Sequence, residues 1–240
     1  MKLLYISKKW TILLWMLLAL LVILIMVDDG RMADYAAVNA SPLKNKIIVI
    51  DAGHGGFDSG AVSPSGTRED VLNLQVALKL QKLLTDNGAK VVMTRRNNDA
   101  IADNKSSDMK KRVEIIKSSD PDIVISIHMN KFGQSKYYGG QTFYLEGSTE
   151  SKKLAELIQR KIRENLIEGN TRQIKAVDNL LILKAVSAPS VVVECGFLSN
   201  PKEESLLKRS DYQDMIAWCI YNGILEYLVL GHPDLLEPDD

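Results

Sequence analysis

Residues 46–56 read KIIVIDAGHGG. The unbroken apolar run Ile47–Ile50 stops at Asp51 and gives way to a loop with glycine at 53, 55 and 56 around His54. Branched apolar residues without polar alternation are what a strand buried on both faces looks like, and parallel sheets bury both faces. The glycines let the chain turn sharply and let other groups approach the backbone. One stretch therefore implies a parallel sheet with a reactive side chain at the carboxyl end of a strand, where open α/β sheets bind their ligands.

Working outward, the same kind of run recurs at Ala89–Thr94, Asp122–His128, Gln141–Leu145, Asn179–Lys184 and Ser190–Cys195. Helical spacing separates several of these runs. Leu72, Val76, Leu80, Leu83 and Leu84 form one apolar stripe, closed by Asn87-Gly88. Leu154, Leu157, Ile158, Ile162 and Leu166 form another, and a last helix is expected from about Asp211 to Leu230. Strands alternating with helices predict an α/β fold, a largely parallel mixed sheet of about six strands with helices on both faces.

The chain has 240 residues, 46% apolar and 25% charged, which suits one ordinary domain with extensions and excludes global disorder. Thirty basic and thirty acidic residues leave a net charge of zero, with no basic patch to hold nucleic acid. The loop GHGG lacks the further glycine pattern or lysine of a phosphate loop. Two cysteines, Cys195 and Cys219, are too few for a disulfide scaffold and read as small core residues, with a pairing between them left open. Residues Trp10–Val27 run 18 residues without a charge, preceded by Lys2, Lys8 and Lys9 and followed by Asp28 and Asp29. That pattern predicts an N-terminal transmembrane helix with the remainder outside the cytoplasm. A cleaved leader is the alternative, and it exports the remainder too. The expected organisation is a cytoplasmic stub and signal-anchor over 1–27, a linker over 28–44, a globular part over 45–230 and an acidic tail over 231–240. The location follows from it: membrane-anchored with the domain outside, or secreted if the leader is cut.

Three expected strands end in chemistry: at His54 just past the first, at His128, and at Glu194. Two imidazoles converging on one sheet edge point to zinc, one Zn2+ per chain. A hydrolytic site needs a third protein ligand, and a carboxylate fits. Glu69 is favoured, in a first helical turn that Thr67 would cap with Asp70 three residues on. Asp51 and Asp58 compete for that place, and Asp51 is also a candidate to accept the free ring N–H of His54. Glu194 is then the general base, giving its proton to a leaving amine, so the bond is an amide or a peptide. Read singly, each residue has a structural alternative: a strand-end histidine, an ion-paired glutamate, a glycine turn.

Several motifs then resemble one known family. IVIDAGHGGFDSGA, the pair Glu69 and Asn73-Leu74, Met93-Thr94-Arg95, Ser126-Ile127-His128-Met129-Asn130, Gly140–Tyr144 and Val193–Asn200 occur in the order found in the zinc-dependent N-acetylmuramoyl-L-alanine amidases. The resemblance spans about Lys46 to Leu228. It implies His54, Glu69 and His128 as zinc ligands and Glu194 as the catalytic glutamate; Asp51, Asp58 and Asn130 are further candidates for a supporting or substrate-side role. It implies cleavage of peptidoglycan between the lactyl group of N-acetylmuramic acid and L-alanine of the stem peptide. Cys195 stands where many relatives carry a small or aliphatic residue. A hydrophobic leader, a short linker and a bare catalytic domain resemble the sporulation amidases of endospore formers, which act on spore cortex on the way to muramic-δ-lactam. That subgroup admits an exported lipoprotein activator as partner. The competing readings are a non-catalytic, membrane-tethered peptidoglycan-binding module and a zinc peptidase cutting within the stem.

Overall fold

The computed structural model describes residues 8–10, 12–21 and 41–231. They belong to two compact units, Met1–Ser41 and Pro42–Asp240. In the first unit, residues 8–10 and 12–21 are helical. Among the described residues no helix is long and apolar enough to cross a membrane. This corrects the transmembrane signal-anchor read over Trp10–Val27, and with it the membrane as a partner and the membrane-anchored location. Residue 11 and residues 22–27 of that expected span lie outside the described residues, as do 28–40 of the expected linker and 232–240 of the acidic tail.

The second unit holds one six-stranded sheet. Its strands are β1 (Ile47–Ala52), β2 (Lys90–Met93), β3 (Ile123–Asn130), β4 (Gln141–Leu145), β5 (Lys175–Val177) and β6 (Ser190–Phe197). Their spatial order is β2-β1-β3-β6-β4-β5. All neighbours are parallel except β4 and β6. The helices are α1 (Glu69–Asp86), α2 (Lys105–Ser118), α3 (Thr149–Asn165), α4 (Pro201–Leu207) and α5 (Ser210–Gly231). The expected mixed, mostly parallel sheet between two helical layers is therefore present.

Strand side chains alternate between faces, and the alternation sorts the core into two layers. Ile48, Ile50 and Ala52, Ile125 and Ile127, and Val191 and Val193 point to one face, where α1, α3 and α5 cover them in the larger cluster. Val49, Val124 and Val192 point to the other, under α2 and a 3-10 turn at Leu181–Lys184. The same alternation puts Asp51, Ser126, His128 and Glu194 on this second face. Register then pairs them, Asp51 beside Ser126 and His128 beside Glu194.

Topology places the opening. From β1 the chain steps through α1 to β2 on one side, then crosses back through α2 to β3 on the other. The two crossovers leave the sheet in opposite directions between β1 and β3, and a crevice opens at such a switch point, outside the strand ends.

Two local expectations fail. Asn179–Lys184 reads as a strand but forms the 3-10 turn, and the strand of that region is the short β5. Ile182 and Leu183 are both buried, which successive residues of a strand packed on one face do not achieve. Thr67 does not cap α1: the N-cap is Arg68, without a side-chain cap, and the Thr67 hydroxyl donates 2.5 Å to Glu204 instead. Cys195 and Cys219 are buried and unpaired, as core residues. The C-terminal stop of α1 falls at Asn87-Gly88 as expected, with Gly88 at φ +97°.

Candidate metal centre

His54 sits just past β1 with φ +62°, a left-handed backbone that a residue with a Cβ adopts only under restraint. Two buried arginines supply the restraint. Arg112 donates to the carbonyls of Ala52 (2.8 Å) and His54 (2.6 Å). Arg95 donates to those of Ala52 (2.8 Å) and Gly53 (2.9 Å). Gly53 has to be glycine, because a Cβ there would lie 2.2 Å from the His128 ring. The chain is thus folded so that the two imidazoles meet, their ring centroids 4.9 Å apart and their planes at 82°.

Glu69 opens α1 and reaches into the same space. Its Oε1 lies 3.3 Å from His54 Nε2 and 2.9 Å from His128 Nδ1. The carboxylate is aimed by the backbone N–H of Ala61 (2.7 Å), the backbone N–H of Met129 (3.2 Å) and the Asn73 side-chain amide (3.2 Å). Burial by itself would raise the Glu69 pKa; the hydrogen bonds and charges of His128 and His54 outweigh it and hold the carboxyl well below its ordinary value. Burial would lower His54, but Glu69 and Asp58 raise it to about 9. His128 is raised in the same way, against burial, by Glu69 and by the charge of Glu194.

The set fits a metal ion. His54, Glu69 and His128 each offer a ligand atom, and these atoms lie within 4.8 Å of one another. Bonds of ~2.0–2.1 Å in a tetrahedral zinc site imply ligand–ligand edges of roughly 3.3 Å, close to the separations from Glu69 to the two imidazoles. Two neutral imidazoles and one carboxylate are also the donor set of catalytic zinc, which keeps a position open. Next to them Glu194 is half-buried, and its Oε2, an atom closed off from solvent, has no hydrogen-bond partner among the described residues. Burial pushes its pKa up to about 7, with His128 opposing and Glu69 adding to the rise. A buried carboxyl oxygen left without a partner costs stability, so its presence at a crevice points to a ligand or reactant that completes it.

The supporting candidates divide. Asp58, not Asp51, holds the second nitrogen of His54, with Oδ2 2.8 Å from Nδ1. Burial would raise Asp58, but Lys105, 2.9 Å away, and His54 pull it down to about 2. Asp51 lies beneath the site and accepts from Thr94 (2.7 Å), Ser126 (2.7 Å) and Arg112 (2.8 Å). Asn130 closes β3 at an irregularity in its pairing with β6, and its carbonyl accepts from Leu198. Arg112, Asp108 and Lys105 carry weight here that their surroundings in the sequence do not signal, since all three belong to a helix without a clear apolar stripe. A carboxylate orienting a metal-binding imidazole typically contributes about 10–100-fold in affinity. Asp58→Asn is expected to weaken zinc binding by about that factor, measured by competition with a chromophoric chelator; unchanged affinity would remove Asp58 from the site.

Comparison with known proteins agrees with this geometry. The model of the N-acetylmuramoyl-L-alanine amidase family matches residues 48–226. The germination-specific N-acetylmuramoyl-L-alanine amidase of Bacillus subtilis is 40% identical over 194 residues, covering 78% of this chain and 81% of the relative. The amidase LytC of the same organism is 33% identical, and there the match spans 78% of this chain but 36% of LytC. Among solved structures, the CwlD amidase of Clostridioides difficile, determined in complex with the GerS lipoprotein, is 41% identical with a TM-score of 0.75, over 78% of this chain and 100% of that one. Family match, fold and ligand cluster coincide on the same residues, and the chain belongs to the N-acetylmuramoyl-L-alanine amidases.

Proposed function

We propose that the unit over residues 45–230 hydrolyses the amide between the lactyl group of N-acetylmuramic acid and L-alanine in spore-cortex peptidoglycan, toward muramic-δ-lactam. In this reading His54, Glu69 and His128 hold one zinc ion and Glu194 is the acid–base residue. The observation that carries it is the meeting of three side chains able to ligate a metal with a carboxylate whose buried oxygen has no partner, at one sheet edge. The similarity to a germination-specific amidase supports cortex as the substrate.

Zinc held by these residues supplies Lewis acidity to the scissile carbonyl and to the attacking water. The protein supplies the rest. Asp58 keeps His54 turned so that Nε2 faces Glu69 and the crevice. Glu194 Oε2 accepts a proton from water as its oxygen bonds to the lactyl carbon. The carbon–nitrogen bond then breaks, and Glu194 returns the proton to the L-alanine amine. A carboxylate with a pKa near the working pH suits both halves of that exchange. A module that only grips peptidoglycan needs no acid with a buried, unpartnered oxygen beside a metal cluster, so the geometry favours the enzyme.

The test is product analysis on purified cortex peptidoglycan. Zinc-loaded protein should release stem peptides with a free L-alanine amino group and leave bare lactyl carboxylates on the glycan. Chelation should abolish release and added zinc restore it. Alanine left on the muramic acid would make the enzyme a stem peptidase, and no release with zinc present would leave only binding.

A further inference from the structure

A second cavity lies on the α2 side of the sheet, a groove of about 380 Å3 between α2 and the 3-10 turn. Met109, Val113 and Leu181 line it with apolar surface, and Lys110, Lys117 and Lys184 with positive charge. No acidic residue is among its lining residues. Leu181 is 61% exposed, a large apolar side chain left in water at the groove wall. The groove adjoins a pocket at the metal centre: Met109 lines both, and that pocket takes in His54, Asp58 and His128. The nine residues from Met109 to Lys117 advance ~12 Å along α2. An extended peptide of four residues spans about 13 Å.

We propose that this groove is the stem-peptide subsite. The inference rests on the amidase reading above and adds where the peptide half of the substrate lies. The stem is joined through its amino end to the bond that is cut, so it must leave the metal pocket in one direction. Along α2 it meets apolar surface for its methyl and methylene groups and lysines for its free carboxylates. Exposed charge pairs of this kind are individually weak and screened by salt, so they set affinity for an acidic stem and not the rate of bond breaking.

The experiment compares the full, zinc-loaded chain with a Lys110→Glu, Lys117→Glu, Lys184→Glu triple variant. The two substrates are a muropeptide with free stem carboxylates and the same compound with those carboxylates amidated. Three reversed charges should raise KM for the acidic substrate by roughly tenfold at low salt, with kcat within about twofold and a smaller difference as salt rises. KM for the amidated substrate should stay unchanged or fall. Lys90→Glu, at the exposed start of β2, should behave as wild type on both. A second measurement needs no variant: free stem tetrapeptide titrated into protein carrying 13C-methyl methionine should shift the Met109 signal and leave that of Met215, exposed on α5, in place.

Equal KM values for variant and wild type on the acidic substrate would overturn the proposal. So would an equal loss on the amidated substrate, which makes the lysines structural. A wild-type dimer that the triple variant abolishes would assign the groove to a second copy, and loss of lipoprotein binding with KM intact would assign it to a partner; either result overturns a stem subsite. If wild type releases no peptide while the tetrapeptide still shifts Met109, the amidase reading fails and the groove's ligand stands.

Discussion

Glu194→Ala is expected to keep its zinc and lose about 10^2–10^4-fold in kcat, the range that positioned acid–base groups contribute. The three ligand side chains come from the loop after β1, the start of α1 and the end of β3, so removing a side chain from β6 leaves the ligand set whole. What disappears is a carboxylate beside the ligand set whose buried oxygen is free to accept a proton. The variant should also be as stable as wild type or more so, by ~1 kcal/mol, because a buried carboxylate oxygen lacking a partner is removed. Metal content, thermal unfolding and turnover measured on the same preparation separate the roles. A merely structural glutamate would lower the melting temperature and leave turnover within about tenfold. That pattern, or loss of zinc, would take the acid–base role from Glu194.

The parts of this site that were legible in the sequence are those carried by buried strands. β1, β3 and β6 are nearly continuous apolar runs, so their ends could be located, and a reactive side chain at each end stood out against the apolar background. Position along the strand also decides the face, which is why His128 and Glu194, register partners, could be expected on one edge. α2 was not legible for a physical reason. Its buried residues are Asp108, Arg112 and Ile116, so two of the three positions that should have shown an apolar stripe are charged. A helix that covers a polar site with ionic side chains loses the periodicity by which helices are read. The choice between Asp51 and Asp58 could not be made from spacing. Both lie within one turn's length of His54, and only the left-handed backbone at His54 turns its ring toward Asp58. The Asn179–Lys184 run shows the opposite limit: four consecutive apolar residues fit a short buried strand or a 3-10 turn equally well.

Arg112→Met is expected to cost about 3–5 kcal/mol, the penalty for leaving one member of a buried ion pair unmatched. In a unit of this size that lowers the melting temperature by roughly 10 °C. Arg112 and Asp51 have side chains 2% and 3% exposed and are joined at 2.8 Å. The same guanidinium holds Asp108 at 2.5 Å and the carbonyls of Ala52 and His54. The pH dependence has a definite sign. Burial would raise the Asp51 pKa, but Arg112, with Ser126, His128 and Thr94, brings it below the ordinary value. In wild type this group therefore contributes stability that is present above the unfolded carboxyl pKa of ~3.9 and is lost as pH falls below it. Without Arg112 burial dominates, Asp51 takes up a proton in the fold, and the variant loses stability as pH rises from about 4. The gap between wild type and variant should widen with pH across that range. Arg112→Lys should recover part of the stability by restoring charge, yet an ammonium cannot reproduce the planar fork that reaches Asp51, Asp108 and two carbonyls together. Zinc affinity should stay impaired in the lysine variant, because the His54 backbone loses its restraint. Melting curves that run parallel from pH 4 to 8, or a lysine variant with wild-type zinc affinity, would show that the ion pair neither supports the fold nor positions His54.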